Sequence, residues 1–160
     1  MNTDLEFIVK RLVIELMNRH FTIATAEECT CGLIGASIAS QDFPQRWYKG
    51  TITTYTQNEI NKVFGISNNI IEKNGLVSSQ IAQQMALETL YKFNANITIG
   101  VVGDVDGYCK DVQICVCKKF DKNMNFAYKK ITVDEKDRGK NLEIILNESL
   151  SLALEHIMED

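Results

Sequence analysis

Residues 22–39 read Thr22-Ile23-Ala24-Thr25-Ala26-Glu27-Glu28-Cys29-Thr30-Cys31-Gly32-Leu33-Ile34-Gly35-Ala36-Ser37-Ile38-Ala39. The first part is a run of small and β-branched residues suited to a strand, ending in two carboxylates. A Cys-Thr-Cys-Gly turn follows, and then a stretch of Ala, Ser and Ile that suits a small-residue helix. A strand that turns directly into a helix is the building block of α/β folds. The helix N-terminus leaves unpaired N–H groups just beyond the strand end, where such folds place their ligands. Thr25, Glu27, Cys29, Thr30, Cys31 and Gly32 are therefore candidate ligand-binding residues, with Glu28 at the centre.

Working outward, the pattern alternates helices with strands. Thr3 or Asp4 caps a predicted first helix to about Asn18, with Leu5, Ile8, Val9, Leu12 and Leu16 on one face. Phe21 to Glu27 is the first strand, Cys31 to Ser40 a helix, and Gln41 to Lys49 an irregular link holding Pro44 and Trp47. Gly50 to Thr56 alternates as a strand, Asn58 to Phe64 is a short helix closed by Gly65, and Ser67 caps another to about Asn74. Ser78 or Ser79 starts a longer helix in which Ile81, Ala82, Met85, Ala86, Leu90 and Phe93 follow helical spacing. Ile97 to Val102 is nearly all apolar, as for a central strand covered on both faces, and Gly103 to Gly107 is a turn at its carboxyl end. Asp111–Phe120 and Asn125–Val133 are expected to form a hairpin through Asp121-Lys122-Asn123-Met124. The last helix carries Leu142, Ile145, Leu146, Leu150, Ala153, Leu154 and Ile157 on one stripe. These elements predict an α/β protein: a three-layer α/β/α sandwich on a mixed, mostly parallel sheet with a C-terminal hairpin and helix.

Composition limits the function classes. The 160 residues are 45% hydrophobic with a formal net charge of -4, which fits one domain over residues 1–160. Lys and Arg are scattered rather than banked on one element, which argues against nucleic-acid binding. No membrane span is visible, and Met1 to Glu6 carries acids where a secretory signal carries bases, so a cytoplasmic location is expected. Cys29, Cys31, Cys109, Cys115 and Cys117 are expected as free thiols. A zinc site would use C-x₂₋₄-C spacing, whereas Cys115 and Cys117 simply share one face of an alternating strand. Neither a metal nor a cofactor is expected.

Taken together, Thr25-Ala26-Glu27-Glu28-Cys29-Thr30-Cys31-Gly32 resembles the T-A-E-S-C-T-G-G signature of the CinA C-terminal domain family, whose active members are nicotinamide mononucleotide deamidases. Lys49-Gly50, Thr54-Tyr55, Gly65-Ile66, Asn74-Gly75-Leu76-Val77-Ser78 and Gly100-Val101-Val102-Gly103 with Gly107 are further echoes, in order along the chain. The resemblance implies a compact α/β/α domain that hydrolyses the carboxamide of a pyridine nucleotide, with a serine nucleophile, a lysine that takes its proton and a nearby tyrosine. Backbone N–H groups would stabilise the oxyanion. It adds Gly100, Gly103 and Gly107 to the candidate ligand-binding residues, and it implies a homo-oligomer.

Two of the implied catalytic positions are substituted. Glu28 stands at the serine and Ile60 at the lysine, while Tyr55 is kept. One of the signature's two glycines is Cys31, and Asp104 replaces the proline after the family's G-x-x-G. Glu28 then reads as a carboxylate that accepts backbone N–H bonds at the start of the helix, which would fill the anion or oxyanion site. Lys62 is two residues past Ile60, about 200° around a helix, and reads as surface charge. The expectation is a catalytically degenerate domain that retains binding of a pyridine nucleotide or a protein partner. Its alternatives are an amidohydrolase rebuilt from Glu28, Thr30 or the cysteines, and a structural or oligomeric subunit.

Overall fold

The computed structural model describes residues 2–106, 110–134 and 136–159. Strand β1 (Ile23–Glu27) is buried along its whole length because it lies between two parallel neighbours, β2 (Tyr48–Thr53) and β3 (Ile97–Gly103). The sheet continues through β4 (Asp111–Phe120), antiparallel to both β3 and β5 (Asn123–Thr132), giving the order β2-β1-β3-β4-β5. Four of these five strands therefore run one way, with β4 reversed. β3, apolar throughout its centre, is fully buried as expected of a strand covered on both faces.

Helices α1 (Thr3–Arg19), α2 (Leu33–Ala39) and α6 (Arg138–Met158) cover one face, burying Leu12, Leu16, Ile34, Ile38, Ile145 and Leu150 against Ile97, Ile99 and Val101. Helices α3 (Gln57–Phe64), α4 (Asn68–Asn74) and α5 (Ser79–Phe93) cover the other, where Ile60, Phe64, Ile71, Ile81 and Met85 pack with Val102, Cys115 and Cys117. The result is the expected three-layer sandwich. Cys115 and Cys117 share one face, as their spacing predicts, and among the described residues no group of three metal-ligating side chains occurs.

Most element ends follow their capping residues. Ser67 accepts from Ile70 N–H and Ser78 from Ile81 N–H, and Gly65 ends α3 at φ 67°. Several boundaries differ from expectation, β1 beginning at Ile23 rather than Phe21 and α2 at Leu33 rather than Cys31 among them. α1 is capped by Asn2, which accepts from Leu5 N–H, one residue earlier than Thr3. β2 runs from Tyr48 to Thr53 rather than Gly50 to Thr56, because its ladder is limited to the length of β1 and ends at the Glu27–Thr53 pair. The hairpin turn is only Asp121-Lys122, with Asp121 at φ 53°, so β5 begins at Asn123.

Gly100 and Gly35 are required by close approach. A Cβ on Gly100 would lie 2.3 Å from the Ala82 carbonyl oxygen, and one on Gly35 would lie 1.9 Å from Thr51 Oγ1. These glycines let α5 and α2 sit directly against the sheet.

Candidate functional site

The carboxyl ends of β1, β2 and β3 meet at one edge of the sheet, and most of the candidate residues are gathered there. Glu27 is fully buried, and both of its oxygens are occupied. Oε1 accepts from Thr25 Oγ1 at 2.8 Å and Gly35 N at 2.8 Å, and Oε2 accepts from Thr30 Oγ1 at 2.6 Å, Gly32 N at 2.9 Å and Ile34 N at 3.2 Å. The carboxylate that caps α2 is thus Glu27. The reading that gave this role to Glu28 is corrected. Gly32 turns the chain at φ 92°, which folds the start of α2 back over the last residue of β1 rather than over the residue after it. Thr25, Thr30 and Gly32 spend their polar groups on Glu27, so in this arrangement they form an internal brace.

Glu28 points its bonding elsewhere. Its own N–H continues the sheet to Val101 O at 3.1 Å, and its Oε2 accepts from Gly103 N at 3.0 Å. Only 7% of the residue is exposed, and this burial pushes its carboxyl up to about 7, with nearby Asp104 adding to the rise. The N–H groups of Gly103 and Cys29, and the Arg138 guanidinium, pull the other way. Desolvation dominates because only backbone dipoles and a surface cation oppose it.

Arg138, the first residue of α6, organises the rim of this edge. Its guanidinium donates to Tyr55 Oη at 3.0 Å and pairs with the Asp106 carboxylate, joining the segments after β2 and β3 to α6. Sequence reasoning missed Arg138; Asp137 as the helix cap, accepting from Gly139 N at 2.8 Å, was the only signal that a helix would start there. Tyr55 is 51% exposed, whereas the preceding Thr54 is buried, and its hydroxyl has no hydrogen-bond partner among the described residues.

The remaining candidates lie further from Glu28 or serve packing. Ile60 is fully buried in the apolar cluster with Phe64, Met85 and Val102, and Lys62 is exposed, as its helical position requires. Gly100 is mid-strand opposite Ala26 beneath α5, which gives its missing side chain a packing reason. Gly103 both donates to Glu28 and leaves room for Val112 and the Cys29 sulfur, which a Cβ would meet at 2.7 Å and 3.1 Å. Gly107 and Cys109 lie outside the described residues.

The thiols at this edge differ. Cys29 is buried, and burial raises its thiol far above the ordinary range, so a thiolate is disfavoured there. Cys31 is exposed and held at φ 50°, a left-handed conformation that explains why the signature has glycine at this position. The two histidines take structural parts: His20 ends α1 at φ 55°, and buried His156 is bonded to Glu159 and to the Asn125 carbonyl.

An α/β/α sandwich with a T-A-E-type turn at the strand ends defines a class, and sequence comparison places the chain within it. The model of the CinA C-terminal domain matches residues 5–158, and the chain belongs to that family. It is 32% identical over 157 residues to a CinA-like protein of Flavobacterium psychrophilum, covering 98% of this chain and 36% of that protein. A CinA-like protein of Prochlorococcus marinus is 34% identical over 92 residues, 58% of this chain and 21% of that protein. The chain thus spans about a third or less of these relatives' length. The crystal structure of a competence/damage inducible protein from Agrobacterium tumefaciens superposes with a TM-score of 0.90 at 22% identity, over 99% of this chain and 98% of that one. A competence or damage-inducible protein from Enterobacter asburiae gives 0.81 at 18%, over 98% and 99%. Among the described residues no helix is long and apolar enough to cross a membrane.

Proposed function

We propose that this CinA domain has lost the nicotinamide mononucleotide deamidase chemistry that its resemblance implies and acts as a binding domain at the Glu28 edge. The observation that carries this reading is Ile60. At the position of the family's proton-accepting lysine there is a fully buried hydrocarbon side chain within an apolar cluster. Amide attack requires a nucleophile with a base beside it. At the other altered position Glu28 offers a desolvated carboxyl bonded to Gly103 N–H, the buried Cys29 thiol is disfavoured as a thiolate, and the Thr30 hydroxyl is committed to Glu27.

Retained binding is supported by the Thr54 hydroxyl, buried and unpartnered beside Tyr55. A buried hydroxyl without a partner is costly, and a ligand atom at the strand ends would satisfy it. A pyridine nucleotide is the ligand class the resemblance implies. The test has two measurements. Nicotinamide mononucleotide should release no ammonia above background. The same nucleotide should raise the midpoint of thermal unfolding, since a ligand selective for the folded state stabilises it. Ammonia release abolished by Glu28→Ala would overturn the inactive reading, and an unchanged midpoint at saturating nucleotide would point instead to a protein partner or another copy of the chain.

One observation favours the second reading, an amidohydrolase with a rebuilt site. A carboxyl held at about 7 is matched to general acid–base work near neutrality. It lacks a partner nucleophile in the arrangement described, so it ranks second.

A further inference from the structure

The opposite edge of the sheet, where β1 and β3 begin, contains a cavity of about 430 Å³ lined by Arg19, Phe21, Lys118, Phe120, Asn125, Ile157 and Glu159. Lys118 pairs with Ile97 at the start of β3, whereas Glu28 lies beyond the other end of the strands. The cavity is therefore separate from the Glu28 edge, and its volume is within the range of small-molecule sites.

Its walls and its polar groups are of different kinds. Phe21, Phe120 and Ile157 supply apolar surface, and Phe120 is left 60% exposed at the end of β4. Lys118 is 93% buried, since only 7% of it is exposed. Its ammonium donates to the His156 carbonyl at 2.7 Å and the Glu159 carbonyl at 2.6 Å. These are its only two acceptors among the described residues, which leaves one of its three N–H donors without an acceptor among them. An ammonium removed from water with a donor unused is a costly arrangement that an anion would relieve. Arg19 adds a second cation, ion-paired with Glu15 through Nε at 3.5 Å, and Asn125 adds an amide. The carboxylate at the rim, Glu159, is engaged by His156 Nδ1 at 3.0 Å.

We propose that this cavity binds a small organic carboxylate with a flat apolar body, its carboxylate on the Lys118 ammonium and its body between Phe120, Phe21 and Ile157. The size limits the body to about two fused rings or a short aliphatic chain. Charge sets the preference: a neutral molecule of the same shape would fill the walls but offer the Lys118 ammonium no negative charge. Binding here does not depend on the reading of the Glu28 edge, since no residue is shared.

The test uses 2-naphthoate as probe and 2-naphthalenemethanol as its neutral counterpart, with amide chemical shifts of the full chain recorded during titration. Naphthoate is expected to saturate at millimolar concentration or below, with shifts concentrated at Phe21, Lys118, Phe120, Asn125 and Ile157. The alcohol should bind about tenfold more weakly, the size of one charge-assisted hydrogen bond. Lys118→Met removes the ammonium but also its two bonds to the end of α6. The exposed variants Phe120→Ala and Arg19→Gln therefore keep the proposal testable, and each should weaken naphthoate at least about threefold without changing the fold. Equal affinity for acid and alcohol, no saturable shift, or shifts mapped to Glu28 and Tyr55 would each overturn it.

Discussion

Replacing Glu28 by Gln should make this protein more stable at alkaline pH and leave it unchanged at acidic pH. Glu28 is almost wholly buried, and burial raises its carboxyl from 4.5 to about 7 in the folded chain. The folded state then holds the proton more tightly than the unfolded state does. The stabilisation this gives is fully present below about pH 4.5 and is lost as pH rises through about 7. A gap of about two and a half pH units is worth about 3 kcal/mol at 1.36 kcal/mol per unit, with little solvent screening at a buried site. Glutamine has nearly the same shape, stays neutral, and its carbonyl oxygen can still accept from Gly103 N–H. Urea unfolding of the two proteins from about pH 4 to about pH 8 should give curves that meet at the acidic end and diverge by up to about 3 kcal/mol at the alkaline end. Parallel curves across that range would refute the reasoning, because they would mean that Glu28 has the same proton affinity folded and unfolded.

The adjacent carboxylate should behave in the opposite way. Glu27→Ala strips acceptors from five buried or half-buried donors and should cost at least about 3 kcal/mol in the same urea assay at neutral pH. Gly100→Ala places a methyl 2.3 Å from the Ala82 carbonyl and should lower stability by about 2 kcal/mol or more, read as a fall in the thermal midpoint. Cys31→Gly removes a side chain from a left-handed residue at φ 50° and should raise stability by up to about 1 kcal/mol, with a lower midpoint counting against the strain argument. The double variant Glu28→Ser with Ile60→Lys restores both substituted positions and should release ammonia from nicotinamide mononucleotide. If it is folded by circular dichroism and still inert, the replacement at Asp104 is part of the loss.

Much of the architecture was legible because it rests on local rules. Ser67, Ser78 and Gly65 act as helix caps at the positions their residue types announce. The apolar run into Gly103 is a strand buried on both faces, and helical spacing identified α5. Boundaries set by a partner strand were less legible: β2 stops where β1 stops, a length that β2's own Thr54-Tyr55-Thr56 does not encode. Arg138 was illegible for the same reason, since its partners Tyr55 and Asp106 are 83 and 32 residues away along the chain and meet it only at the rim.

The strand-to-helix turn at Thr25 to Gly32 is where sequence and structure divide most clearly. The sequence by itself determined that two adjacent carboxylates follow a small-residue strand, that Glu and Ile stand where the resemblance implies serine and lysine, and that a polar turn leads from that strand into a helix. Only the tertiary structure decided which carboxylate does what. Alternation along a strand puts neighbouring side chains on opposite faces, so Glu27 and Glu28, identical in type and side by side, enter different surroundings. Glu27 meets the start of α2 and five donors. Glu28 instead accepts from Gly103 N–H across the sheet edge and is left as a desolvated acid.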